Sequence, residues 1–332
     1  MTARHAFAPG RVNLIGDHTD YAHGRALPMA IERGTSATYT PSASGPLIAR
    51  SQTTGESLAI VPGTAHAAGS FGAMVTGIVE ELGVSSGTIE VRSNLPLGAG
   101  LSSSASLLMA CALALGAPDD VLDLAELCRR AEARAGQDVG LLDQLAIGGG
   151  VAGSALKIDF VGPTWHPIPV SDAAGFFVIH SGQRRSLATG AYAQRRATCR
   201  AAEAIIGPLG RASLHDLGHL DDATMRRRAR HVITETDRVD AFACAIQQGA
   251  LEEAGQLMNE SHQSLARDFE VSTATIDALV AQLLALPQVH GARLTGGGFG
   301  GCVIALTDAG VSLPMENLDS WAVTPSEGAC LL

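Results

Sequence analysis

Strand-like and helix-like runs succeed one another in mixed order along this 332-residue chain, with no regular strand–helix–strand repeat. That order points to an α+β fold rather than a doubly wound parallel sheet. Periodicity predicts strands over 12–15 and 89–93, helices over 104–115 and 121–135, and strands again over 152–158 and 176–180. After Ser186 come helical patterns over 190–206, 225–248, 251–260 and 272–286, then strands over 289–294 and 302–306. The last two strands flank Gly296 to Gly301, GGGFGG, which satisfies the GxGxxG dinucleotide pattern. Too little chain remains after it for a complete nucleotide-binding half, and residues 302–306 read as strand, so the glycines describe a loop whose backbone presses against something flat or anionic. A purely structural glycine hairpin is the alternative. The length allows two domains, divided here as 1–170 and 171–332, and no internal repeat is visible.

Composition removes several function classes. A net charge of −10 lacks the basic stripe that phosphate neutralisation requires, so no nucleic-acid partner is expected. No apolar run reaches membrane-span length, and the first residues lack the apolar core of a secretion signal, so no membrane partner and a cytoplasmic location are expected. The six cysteines show no CxxC pairing and lie mostly in apolar segments, as free buried thiols would. Lys157 is the only lysine, and GxxxxGK[ST] is absent. Any nucleotide must therefore be held by backbone amides, arginine and a metal ion.

Two further segments carry chemistry. Residues 11–21, RVNLIGDHTDY, gather an arginine, carboxylates, a histidine and a tyrosine around a turn leaving a buried strand, where Gly16 and the Asp residues tolerate the needed dihedrals. Taken alone it could be a polar surface loop. Residues 95–105, LPLGAGLSSSA, place Gly98 and Gly100 ahead of Ser102, Ser103 and Ser104, where an apolar helix must begin. Such a helix end offers unpaired amides and partial positive charge, which suits a triphosphate, and serine hydroxyls can ligate Mg²⁺ or simply cap the helix.

These segments, in this order, resemble the GHMP superfamily of small-metabolite kinases (galactokinase, homoserine kinase, mevalonate kinase, phosphomevalonate kinase), and within it the galactokinase family. GRVNLIGDHTDY is similar to that family's sugar signature, LPLGAGLSSSA to its phosphate loop and TGGGFGGC to its third glycine motif. GLLDQ at 140–144, RRSLATGAYAQRR around Tyr192 and SHQSLARDFEVS at 261–272 agree as well. The resemblance implies an amino-terminal domain like ribosomal S5 domain 2, a ferredoxin-like carboxy-terminal domain, and an active site in the cleft between them. It implies ATP-dependent phosphorylation of a sugar's C1 hydroxyl, with ATP and Mg²⁺ required and a monomer or homodimer as the assembly.

By motif position the resemblance makes Asp143 and Arg11 the catalytic pair and Asp17, His18, Asp20, Gly140 and Tyr192 the sugar contacts. It gives Gly98, Gly100, Ser102, Ser103, Ser104, Phe71, Gly297 and Gly298 to the nucleotide, and Ser103 or Ser104 with Glu132 to the metal. Departures from the family pattern are Asp17 in place of glutamate, Val139 in place of cysteine, SFGAMVTG where an adenine pocket usually carries Trp and Tyr, and Glu132 one residue nearer Asp143. The stretch after Leu306 is also short, its last helix reduced to 311–317, which would expose apolar surface and favour self-association. The alternatives are a C1 kinase for N-acetylgalactosamine, L-arabinose or galacturonate, or a non-catalytic sugar sensor. Such sensors disrupt the serine–alanine pair that stands intact here as Ser104-Ala105.

Overall fold

The computed structural model describes residues 2–61, 63–96, 98–137, 139–183, 189–313, 315 and 318–332. Its first half contains β1 (Arg4–Ile15), β2 (Arg25–Thr40), β3 (Leu47–Ser51), β4 (Ser57–Ile60), α1 (Phe71–Leu82), β5 (Gly87–Ser93), α2 (Ser103–Leu115), α3 (Val121–Arg134), α4 (Leu142–Gly148), β6 (Ser154–Asp159) and β7 (Thr164–Pro169). The second half contains β8 (Ala174–His180), α5 (Thr189–Ile206), α6 (Ala223–Gln248), α7 (Leu251–Arg267), α8 (Ala274–Leu284), β9 (Val289–Thr295), β10 (Cys302–Asp308), β11 (Ser320–Val323) and β12 (Cys330–Leu331). Their order gives the α+β architecture expected from the patterning.

One sheet runs β12-β1-β2-β5-β3-β4, with β6 pairing the start of β2 and β7 pairing β6; among the described residues only β3 and β5 pair in parallel. The other is antiparallel, in the order β11-β8-β10-β9. Helix α2 packs on β1 and β2 and touches α1, α3 and α4. It is apolar on every side, as a helix enclosed by a sheet and other helices must be. Polar side chains start the helices where the sequence supplies them: Ser70 accepts from the Ala73 amide, Asp120 from Leu122 and Asp123, Asp222 from Met225 and Thr273 from Ile276. Left-handed glycines at Gly83, Gly116 and Gly249 end α1, α2 and α6.

A core shared by both sheets sets the geometry of the cleft. Val12, Leu14, Met29 and Ile31 of β1 and β2 pack with Phe176, Val178, Ile304 and Phe242 from β8, β10 and α6. The end of β1 is therefore buried from both faces, and the turn after it emerges where the two sheets meet.

The glycine segment of 296–301 joins antiparallel neighbours β9 and β10, so it is a loop between hairpin strands and not the opening of a dinucleotide fold. Helix α7 runs beyond the expected 260 to Arg267. At the carboxy terminus, Val311 to Leu313 and Met315 form no helix; Pro314, Glu316 and Asn317 lie outside the described residues. Strand β11 pairs with β8 instead, and Leu313 and Val323 are buried, so the expected exposed apolar face is not found among the described residues. The large exposed apolar side chains are scattered over separate segments, with only Leu331 and Leu332 adjacent. Cys111, Cys128, Cys199 and Cys302 are buried and reduced, while Cys244 and Cys330 are exposed. No helix of the described residues is long and apolar enough to cross a membrane.

Candidate active site

Strand β1 delivers Arg11 to the base of a cleft of about 650 Å³, and the turn after it delivers Asp17, His18 and Asp20 to the wall. The turn has the expected backbone: Gly16 lies at φ +93° and His18 at +66°. A Cβ on Gly16 would sit 2.6 Å from both the Ala26 Cα and the Arg25 carbonyl, so glycine is required there. Gly140, Asp143, Tyr192, Gly296, Gly297, Gly298 and Phe299 also line it, together with Arg196 and Arg200 of α5.

Asp143 is the second residue of α4 and is held on both oxygens. Arg11 donates to Oδ1 through Nε (2.7 Å) and Nη2 (2.6 Å), and the Ser102 hydroxyl bonds Oδ2. Arg11 Nη1 also donates to the Gly100 carbonyl at 2.8 Å, so the Arg11–Asp143 pair is tied directly to the glycine–serine loop. Ser102 takes a left-handed conformation at φ 58° at the N-cap of α2. The next serines begin the helix proper, where the first amides have no partner within the helix. Ser104 Oγ donates to Glu132 Oε1 and Gln144 Nε2 to Glu132 Oε2, both at 2.8 Å. Burial, countered in part by the Ser104 hydrogen bond, pushes the Glu132 carboxyl up to about 7.

The sugar-signature residues fall into two groups. His18 and Asp20 face the cleft. The His18 ring packs 4.8 Å from Phe269 and 5.7 Å from Tyr192, and its Nδ1 lies 2.8 Å from the Tyr21 hydroxyl. Asp20 is pushed up to about 6, first by burial and then by neighbouring Asp143. Gly140 leaves room for it, because a Cβ there would fall 1.8 Å from Asp20 Oδ2. Asp17 also lines the cleft, but its carboxylate is engaged from behind: Arg293 Nη2 donates to Oδ2 at 2.5 Å and the Gly296 amide to Oδ1 at 2.9 Å.

The structure thus gathers Arg11, Asp17, His18, Asp20, Gly140, Asp143, Tyr192, Gly297 and Gly298 in one cleft. Gly297 stands beside Tyr192, which is expected to hold the sugar, since a Cβ on Gly297 would touch the Tyr192 ring at 3.8 Å; one on Gly298 would meet the Val271 carbonyl at 2.5 Å. Gly98, Gly100, Ser102, Ser103, Ser104 and Glu132 are not among the residues that line that cleft, although Gly100 and Ser102 bond Arg11 and Asp143, which are. Phe71 opens α1 and packs, partly buried, against the core of the first sheet; it is not among the residues that line that cleft. Of the RRSLATGAYAQRR segment, residues 184–188 lie outside the described residues. Sequence reading missed Phe269, His231, Glu235 and Arg293, although an arginine inside the apolar run of 289–294 is a visible signal of a buried partner.

Residues 2–41 match the galactokinase galactose-binding signature, 70–150 the GHMP kinases N terminal domain and 242–311 the GHMP kinases C terminal model. The chain is 40% identical to a galactokinase of Mycobacterium tuberculosis over 321 residues, covering 91% of this chain and 88% of that one. It is 37% identical to Homo sapiens galactokinase, covering 91% and 83% of the two chains. The crystal structure of Lactococcus lactis galactokinase complexed with galactose superimposes with a TM-score of 0.88 at 27% identity, covering 99% of this chain and 95% of that one. An arginine–carboxylate pair joined to a glycine–serine helix start, in a chain so related over its whole length, has one family assignment: the chain belongs to the galactokinase family of the GHMP kinases.

Proposed function

We propose that this chain transfers the γ-phosphoryl group of ATP to the C1 hydroxyl of galactose, giving galactose 1-phosphate. The observation that carries this reading is the position of Asp143. It sits in the cleft lined by His18, Asp20, Gly140 and Tyr192, yet is bonded through Arg11 and Ser102 to the loop that starts α2. One side chain therefore faces both substrates. Galactose hydroxyls donate to Asp20 and pack against Tyr192 and His18, with the C1 hydroxyl directed at Asp143. Asp143 accepts that hydrogen bond and takes the proton as the new O–P bond forms. Phosphoryl transfer proceeds through a loose transition state, so alignment and charge stabilisation carry most of the rate, and the Arg11 guanidinium supplies positive charge at the transferring group.

The amides at the start of α2, with Gly98, Gly100 and Ser103, receive the phosphates of ATP. Glu132 and a serine hydroxyl, Ser104 or Ser103, fit Mg²⁺. A buried carboxylate pushed up to about 7 lacks compensating charge, and Mg²⁺ is usually held by one or two carboxylates together with substrate phosphates. When bound, the ion neutralises phosphate charge.

A panel of galactose, N-acetylgalactosamine, L-arabinose and galacturonate, assayed with ATP and Mg²⁺, tests the assignment. Galactose should give the highest kcat/KM, and a clearly better rival sugar would overturn it. Asp143→Ala should lower kcat by about 10²–10⁴-fold while calorimetry still detects galactose binding.

A further inference from the structure

His231 does not line the cleft and takes no part in the transfer, yet it lies directly behind the turn that carries His18. It is completely buried on α6. Its Nε2 is 3.1 Å from the Asp17 carbonyl and its Nδ1 2.8 Å from Ser264 Oγ. A carbonyl only accepts, so Nε2 carries the proton and Nδ1 accepts from the serine hydroxyl. The ring packs 4.6 Å from Phe269, whose ring packs 4.8 Å from His18. One helical turn further, Glu235 Oε1 accepts from the Gly16 amide at 3.0 Å.

Helix α6 therefore grips both residues preceding His18, and through Phe269 it also supports the His18 ring. That support matters because His18 occupies a left-handed conformation, at φ 66°, which a non-glycine residue keeps only when its surroundings hold it. We propose that His231 is a positioning residue for the sugar: it sets the Gly16–Asp17 backbone and, by way of Phe269, the plane of the His18 ring. This rests on the cleft being the sugar site. Glu235 is its companion in holding that backbone, whereas Arg293 reaches the Asp17 side chain, the carbonyls of β1 and, at 3.9 Å, Glu235 itself.

Two substitutions separate positioning from bulk packing. His231→Leu keeps apolar volume without a donor, and the amide nitrogen of His231→Gln can reach the Asp17 carbonyl as Nε2 does. His231→Leu should raise the galactose KM at least tenfold and leave the ATP KM within twofold, and His231→Gln should recover most of that loss. Equal increases in both KM values, or a glutamine variant no better than leucine, would overturn the proposal. Should His231→Leu not fold, Phe269→Leu takes its place, with the same selective loss of sugar affinity expected and unchanged affinity counting against it. The imidazole ¹⁵N spectrum of His18 gives a readout independent of turnover. It should change in His231→Leu and be restored in His231→Gln even if the wild-type protein prefers another sugar; an unchanged spectrum refutes the positioning role. Absence of any sugar binding by the wild-type protein would instead refute the functional reading.

Discussion

Asp20 illustrates how a single side chain in this cleft ties binding to pH. Burial raises its carboxyl from the ordinary 3.8 to about 6, so the folded protein holds a proton there across a range in which the unfolded chain has lost it. Its contribution to stability is present below about pH 4 and is lost as pH rises through 6. In the proposed sugar-binding role the pH dependence runs the other way, since the ionised carboxylate is an acceptor on both oxygens whereas the protonated form carries a proton on one of them. The galactose KM should accordingly fall as pH rises through 6 while thermal stability declines, and Asp20→Asn should flatten both trends in kinetic and melting series across pH 5–8. Gly140→Ala should act on the same carboxylate. Its added methyl displaces the end of a side chain and meets no backbone, so the galactose KM should rise about tenfold or more with the melting temperature nearly unchanged.

Among the elements, α7 and β9 approach closely through glycine. A Cβ on Gly255 would lie 2.2 Å from the His290 carbonyl, and one on Gly291 would lie 2.4 Å from the Gly255 carbonyl. Backbone meets backbone there, and neither side can yield as a flexible side chain would. Gly255→Ala should cost about 1–3 kcal/mol, readable as a lower denaturation midpoint, because overpacking a tight contact forces main-chain shifts. It should also weaken galactose binding, since β9 carries Arg293 and ends at the loop whose first amide holds Asp17. Helices α2, α3 and α6 were legible in the sequence because each combines an apolar pattern with a polar start and, for α2 and α6, a glycine end. Helix α4, only 7 residues long, and β12, only 2, carry too few periods to register as patterns.

Over the whole molecule, the last residues return to the first sheet and grip the element that bears Asp143. The Ala329 amide donates to the Ile147 carbonyl near the end of α4, Gly328 to Gly150, Ser326 to Ala30 and Leu332 to His5, while β12 pairs with β1. Chain from beyond β11 thereby braces α4 from its carboxy-terminal end, opposite the end that carries Asp143. Removing residues 327–332 should lower stability by about 2–4 kcal/mol, from the lost backbone hydrogen bonds, and reduce kcat more than either KM. Denaturant melts and initial rates on the shortened chain would decide it; a lower midpoint with unchanged kcat would show that the brace is structural alone.

The sequence by itself determined the α+β class, the place of the third glycine motif in a loop between two strands, the helix start after LPLGAGLS and the family, because local pattern and motif order are properties of short stretches. Only the tertiary structure decided that Asp17 is held by Arg293 and Gly296, that Gly140 is glycine to make room for Asp20, and that His231 and Phe269 stand behind His18. Those relations join residues more than a hundred positions apart, brought into contact by the core shared between the two sheets. No window of sequence contains both partners, so side-chain chemistry alone could name the residues of the turn but not what holds them in place.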